Sequence, residues 1–362
     1  MKQLRRCLAL MLSFAMIAAM VPLSSAGVAK AAEPGSLLAE YRFEDSDITD
    51  KAIADASGNG YDAALVGEGA AISDGVLTLP GGAAGSNAAY VSIPGRLFEN
   101  RDTLTISIWL KNATGKGDYS AMYFGKTTKH LGGGSSDMPL HYWILNPMNP
   151  SEYFKSVWTN GDNAGTPYST ETPVSSTKTS ADWGLYTTVI TPDKIIGYYN
   201  GVEVCNNSKS KTTSDFGTGL VGCIGRSAYN DKFYKGGVYG VRVYGQALTQ
   251  AEVWDEYYSD MPPALNKETV ADAAIAEVKN ALILDNIVTR DLSLPTEGAK
   301  GTHITWESSK PEVISTDGKV NIPTDIEADV TLTATIAVGG RSDTKDFVLK
   351  VPAVPMQEQF NN

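Results

Sequence analysis

From Leu37 to about Tyr258 the chain is written in short runs of alternating apolar and polar residues, each broken by a turn signal. "GVLTLP", "AAYVSIP", "LTISIWLKN", "HYWILNP", "GLYTTVIT", "KIIGYYNGVEV" and "GGVYGVRVY" all carry the period of two expected of strands. In the last run, Tyr239, Val241 and Val243 fall on one expected face, Arg242 and Tyr244 on the other. Asn200-Gly201 takes the positive φ angles of a type I′ turn readily, so it predicts a hairpin. Many strands with no long helical period between them exclude a parallel α/β sheet and predict a sandwich or barrel. One helix follows the last strand at once. "TQAE" (249–252) has capping-box spacing, with Thr249 and Glu252 reaching for each other's backbone amides, and two prolines in "DMPPAL" end the segment.

A second unit begins there. "NKETVADAAIAEVKNAL" places Val270, Ala274, Val278 and Ala281 or Leu282 on one helical face, with a capping box expected at Thr269 and Asp272. The strand-like pieces "DLSLPT", "HITWESS", "VISTDGKV", "VTLTATIAV" and "TKDFVLKV" then predict a small β-sandwich. Residues 353–362 are polar and punctuated by proline, read as linker, and lead us to expect more protein beyond. The expected domains are therefore 33–260 and 266–352, which agrees with a length of 362 residues.

The first 31 residues are set apart by composition. Lys2, Arg5 and Arg6 precede an apolar run from Leu8 to Val21, and Ala29-Lys30-Ala31 fits a small-residue cleavage site. A signal peptide is expected, hence export to the medium or cell surface, with no membrane attachment after cleavage. Cleavage removes four of the 30 basic residues and none of the 41 acidic ones, so 26 − 41 leaves a net charge of −15. That argues against nucleic acid or an anionic membrane as partner and is compatible with a neutral polysaccharide. Cys205 and Cys223 remain in an oxidising compartment, where a disulfide and two buried thiols are both open readings.

The combination of "YRFED" (41–45), "DASGNGYDAAL" (55–65), "LTISIWLK" (104–111), the Asn-Gly hairpin and the closing strand with its Gln246-Ala247-Leu248-Thr249 helix start resembles the laminin-G-like, concanavalin A-like jelly roll of secreted bacterial proteins. "LSLPT", "ITWESSKPEVIS", "DGKVNIP" and "VTLTATI" resemble the atrophied bacterial Ig-like domain. The resemblance implies an all-β protein, a jelly roll joined by a short helix to an Ig-like sandwich, of the kind that accompanies secreted glycoside hydrolases acting on arabinan and related plant cell-wall glycans. It also implies a structural Ca2+ held by acids on the opening and closing strands. Glu44 and Asp45 could supply the first, but Tyr239 and Gly240 stand where the second is expected, which weakens the case; no other cofactor is required.

Catalysis has little to stand on. A retaining glycosidase needs two carboxyls about 5–5.5 Å apart, and no E-x-D-x-x-E strand occurs. "EVWDE" (252–256) falls on the capped helix, where a solvated face is the simpler reading. His130, His141 and His303 lack metal-ligand spacing, and "GGGSS" (132–136) lacks the phosphate-loop signature. A non-catalytic carbohydrate-binding region is the expectation. Its rivals are a surface adhesion or protein-interaction module, a bare spacer, a fragment of a longer hydrolase and an enzyme with a dispersed carboxylate pair. Trp109 and Trp306 are expected in cores, Trp183 before a core strand and Trp254 on the helix. The binding candidates are then Trp143 and Trp158, with Tyr142, Tyr153, Phe154, Asn160, Asp162 and Asn163 nearby, because aromatic faces stack on sugar C–H and amides meet hydroxyls.

Overall fold

The computed structural model describes residues 36–126, 141–159 and 177–354; the expected signal peptide and most of the tail lie outside them. Two antiparallel sheets face each other. One has nine strands, in the order Val202–Ser208, Lys194–Tyr199, Gly184–Ile190, Leu104–Asn112, Lys232–Tyr244, Val76–Gly82 and Ala71–Ser73. Leu37–Arg42 also pairs antiparallel with Lys232–Tyr244, and the two-residue strand Tyr119–Ser120 pairs with it in parallel. The other has eight, in the order Lys155–Trp158, Tyr142–Asn146, Met122–Gly125, Val221–Ile224, Tyr90–Pro94, Ala63–Val66, Ala52–Ile53 and Ile48–Thr49. This is the expected jelly-roll sandwich. Its core holds Ile106, Ile108, Phe124, Trp143, Trp158 and Tyr234, all buried. Each large side chain so buried contributes roughly 1.5–3 kcal/mol.

Local chemistry explains the turns. Asp55 opens the "DASGNGYD" turn and gathers it: Oδ1 accepts from the amides of Glu40 and Ser57 and from the Ser57 hydroxyl, and Oδ2 accepts from the Tyr61 amide. Burial works to raise its pKa, but these donors hold it below the usual carboxylate range. Asn200 and Gly201 sit at φ 51° and 78°, as a type I′ hairpin requires.

Two departures from the expected strand parity matter. A β-bulge between Val238 and Gly240 shifts the register against Leu104–Asn112. One extra residue exchanges the faces, so Val238, Val241 and Val243 enter the core while Tyr239 lies on the opposite side, edge-on to Trp183 at 6.3 Å. Trp109 likewise leaves the inter-sheet core. Ile108 and Leu110 point inward, and Trp109, between them, points outward and stacks on Tyr257 at 5.5 Å.

Tyr257 belongs to helix α1 (Gln250–Ser259), which lies across the outer face of the nine-stranded sheet. Its capping box is formed as expected: the Glu252 amide donates to the Thr249 hydroxyl, and the Thr249 amide donates to Glu252 Oε2 at 2.7 Å. Helix α2 (Lys267–Ala281) starts earlier than expected, because Asn266 is the cap and accepts from the Thr269 amide at 3.0 Å. It buries Ala271, Ala274, Ile275 and Val278. Among the described residues no helix is long and apolar enough to cross a membrane.

The second unit is built on one antiparallel sheet, His303–Ser308, Ala328–Val338 and Arg341–Val351. "VISTDGKV" contributes only the isolated Ile314–Val320 bridge, and "DLSLPT" forms no regular strand. Trp306 is its core tryptophan, 5.7 Å from Phe347, with Nε1 donating to the Pro295 carbonyl at 2.8 Å. Apolar contact runs without a break from Trp109 and Leu185 through Trp254, Tyr257 and Tyr258 into this core. At the junction, Trp254 is wedged between Gly201 and Gly301, both at positive φ, and a Cβ at either position would collide with the indole.

Candidate functional site

The aromatic segment singled out in the sequence divides by parity. Trp143 and Trp158 are register partners on neighbouring strands and face the core. Trp143 Nε1 donates to the Ser156 hydroxyl at 3.0 Å, and Trp158 is stacked by Phe216 at 4.4 Å with the Lys209 ammonium 4.4 Å from its ring. Both are 0 % exposed, so neither offers a face to a sugar, and the expectation for them is corrected. "HYWILN" is apolar on both faces, and nothing in its pattern says which parity points inward. Phe154 is also core. Tyr142 is buried on the opposite side, where the Tyr229 hydroxyl donates to it at 2.7 Å. Tyr153 is half-buried in the turn that follows, its amide bound by Asn149 Oδ1. Asn160, Asp162, Asn163, His130 and the 132–136 loop lie outside the described residues.

The cysteines stand on different sheets. Cys205 packs against the inter-sheet core, whereas Cys223 lies between the inward-facing Gly222 and Ile224 and so points outward. Both are free thiols, which removes the disulfide reading, and burial pushes each up to about 11. Glu44 and Asp45 are exposed at a 3-10 turn. Beside the closing strand, Arg242 is paired with Glu40 at 2.9 Å and Asp260 at 3.0 Å. Burial opposes its charge, but the surrounding acids and Tyr244 hold its pKa above the usual value. Among the described residues no three Asp, Glu, His or Cys side chains group as metal ligands. Ca2+ needs six to eight oxygens, and these residues do not fit it.

What the structure does assemble lies on the outer side of the eight-stranded sheet, where it borders the short Tyr119–Ser120 strand of the other sheet. Outward-facing Ile144, Asn146 and Lys155 form one wall of a cleft of about 170 Å3; Asp118, Tyr119 and Ser120 form a second, and Tyr229 and Asp231 a third. Asn146 braces it: its Nδ2 donates to the Gly117 carbonyl at 2.8 Å, and its Oδ1 accepts from the Met148 amide. Tyr119 anchors the rim by donating to the Gly115 carbonyl at 2.8 Å. Ser120 is 1 % exposed and, among the described residues, its hydroxyl has no hydrogen-bond partner, a costly condition for a buried polar group. These residues come from three separated stretches, so no local spacing announces them.

The outer face of the other sheet carries a polar site that is closed. Glu256, on α1, is buried against it. Ser107 donates to Oε2 at 2.6 Å and Tyr244 to Oε1 at 3.2 Å. Desolvation raises its pKa to about 7 against the opposing pull of Ser107 and Arg242.

Residues 85–254 match the family model described as the Concanavalin A-like lectin/glucanases superfamily, and residues 272–354 match the atrophied bacterial Ig domain. No curated protein matches the chain by sequence. Among solved structures, domain 4 of AbnA, a GH43 extracellular arabinanase from Geobacillus stearothermophilus, solved with arabinotriose, is 19% identical at TM-score 0.47, covering 61% of this chain and 97% of that domain. The Trypanosoma rangeli sialidase is 14% identical at TM-score 0.44 over 63% of this chain and 33% of its own. The binding domain of Botulinum neurotoxin DC, solved with rat synaptotagmin II, is 10% identical at TM-score 0.44 over 86% and 74%.

Proposed function

Starting from a concanavalin A-like domain followed by an atrophied Ig domain, we propose that the chain is an exported glycan-binding module and that the cleft at Ser120 is where the glycan sits. The observation that carries this reading is the unpartnered, buried Ser120 hydroxyl in a cleft also lined by two carboxylates, an ammonium and a tyrosine ring. Sugar hydroxyls donate and accept at once, so they can meet the Ser120 hydroxyl, the carboxylates of Asp118 and Asp231 and the Lys155 ammonium together. The Tyr229 ring and Ile144 offer apolar surface to the C–H face of a ring. The second domain acts as a spacer that occupies the opposite face. Plant cell-wall glycan is the ligand class we favour, with arabinan the first member to try. On that reading the module concentrates an attached or co-secreted polysaccharide-degrading enzyme at its substrate.

Retention of the purified chain on insoluble and soluble polysaccharides, with Ser120→Ala and Tyr229→Ala alongside, tests this. Retention of the parent and loss in both folded variants is the expected result. Binding to no glycan would overturn the proposal and leave an adhesion or spacer role. Retention unchanged in the variants would move the site elsewhere, and release of soluble sugar would replace binding with hydrolysis.

A further inference from the structure

We infer that the cleft accepts a single uncharged sugar ring, at a chain end or side branch, and discriminates against acidic sugars; this rests on the glycan-binding reading above. Size is the first argument. At about 170 Å3 the cleft is smaller than the ~300 Å3 at which pockets for drug-sized ligands begin. One ring fills such a space. A run of rings would have to lie outside it.

Charge is the second. Among the described lining residues, Asp118 and Asp231 are acids and Lys155 is the one base, on a chain of net charge −11. A uronic or sialic acid would bring a third carboxylate among the first two, and like charges at close quarters are strongly disfavoured. An amine would be drawn toward the acids but would face Lys155.

Ser120 is the third argument. Its hydroxyl can donate and accept, yet does neither among the described residues. A ligand group that also does both completes it whichever way its proton turns. A neutral polyol ring supplies such groups on every side.

The test is competition calorimetry on the full chain with neutral monosaccharides, the corresponding uronic acids and neutral oligomers of two to four rings. A neutral monosaccharide is expected to bind within about threefold of its oligomers, and the uronic acid at least about tenfold more weakly. Asp231→Asn should narrow the neutral-to-acidic gap and Lys155→Met should widen it. Added salt should narrow it in the parent to the extent that the site is open to solvent. Far-UV spectra and thermal midpoints establish that the variants are folded. Equal or tighter binding of the acidic sugar, or affinity rising about tenfold with every added ring, would overturn this inference while leaving glycan binding standing. No saccharide binding at all would remove both.

Discussion

Two buried serine hydroxyls on strands of the nine-stranded sheet make an instructive pair, because one lies under the second domain and the other at the open cleft beside the eight-stranded sheet, and they are treated oppositely. On the nine-stranded sheet, Ser107 is bonded to Glu256 and shares a 3.0 Å contact with the Thr187 hydroxyl. Helix α1 and the second domain close over it, with Trp109 stacked on Tyr257. Ser120, on the short Tyr119–Ser120 strand that borders the eight-stranded sheet, is as deeply buried and has no partner among the described residues, in a cleft lined by the first domain. A polar group that is buried and satisfied belongs to the architecture. One that is buried and unsatisfied at the wall of a cleft is a place for a ligand to complete. The position of the second domain thus decides which face is structural and which is available.

Removing the packing of the closed face should have the largest effect. Trp109→Ala is expected to cost about 3–5 kcal/mol in denaturant unfolding. Trp109→Phe should recover most of that, since the indole N–H has no partner to lose; a small cost for the alanine variant would mean that α1 is only loosely seated. Next in size is the carboxylate beneath the helix. Glu256 has a folded pKa of about 7, above its ordinary 4.5, so the folded state holds the proton more tightly than the unfolded one. Its contribution to stability is full below pH 4.5 and is lost as pH rises through 7, an effect of order 3 kcal/mol. Relative to Glu256→Gln, the parent should therefore weaken between pH 4 and pH 8. A difference that is flat with pH, or of the opposite sign, would show that Arg242 keeps the acid ionised.

The two serines provide the finer contrast. Ser107→Ala removes a donor from a buried carboxylate and should cost about 2 kcal/mol. Ser120→Ala removes a buried hydroxyl that has no partner among the described residues, so its unfolding free energy should equal the parent's or exceed it by up to about 1–3 kcal/mol, while glycan retention falls. Equal costs for the two would erase the distinction between the faces.

Much of the fold was legible along the chain. The Leu104–Asn112 strand alternates clearly except at its apolar centre, Asn200-Gly201 demanded a hairpin, and Thr249 with Glu252 formed the cap their spacing implied. What was hidden shares a cause: parity is unreadable where both faces are apolar. "HYWILN" and "ISIWL" bury residues on either side, so Trp143 and Trp158 suggested a surface while lining the core, and Trp109 suggested the core while lying under a helix. The Tyr239 exchange came from a bulge that alternation cannot foresee. The cleft was hidden for a different reason. Asp118, Ser120 and Asp231 are ordinary residues in loops and a two-residue strand, and only strand pairing brings them together.

The wedge at Trp254 has a mechanical consequence. An indole held between two glycines that lack the room for any side chain acts as a dovetail rather than a hinge. Swivelling one domain against the other would first require drawing the Gly301 notch off a ring that Gly201 backs from its own domain. The bearing of the cleft relative to the far end of the second sheet is thereby fixed, as a signpost arm is fixed to its post. A tethered module that bound equally well but turned freely would hold its cargo near the surface; this one would also aim it.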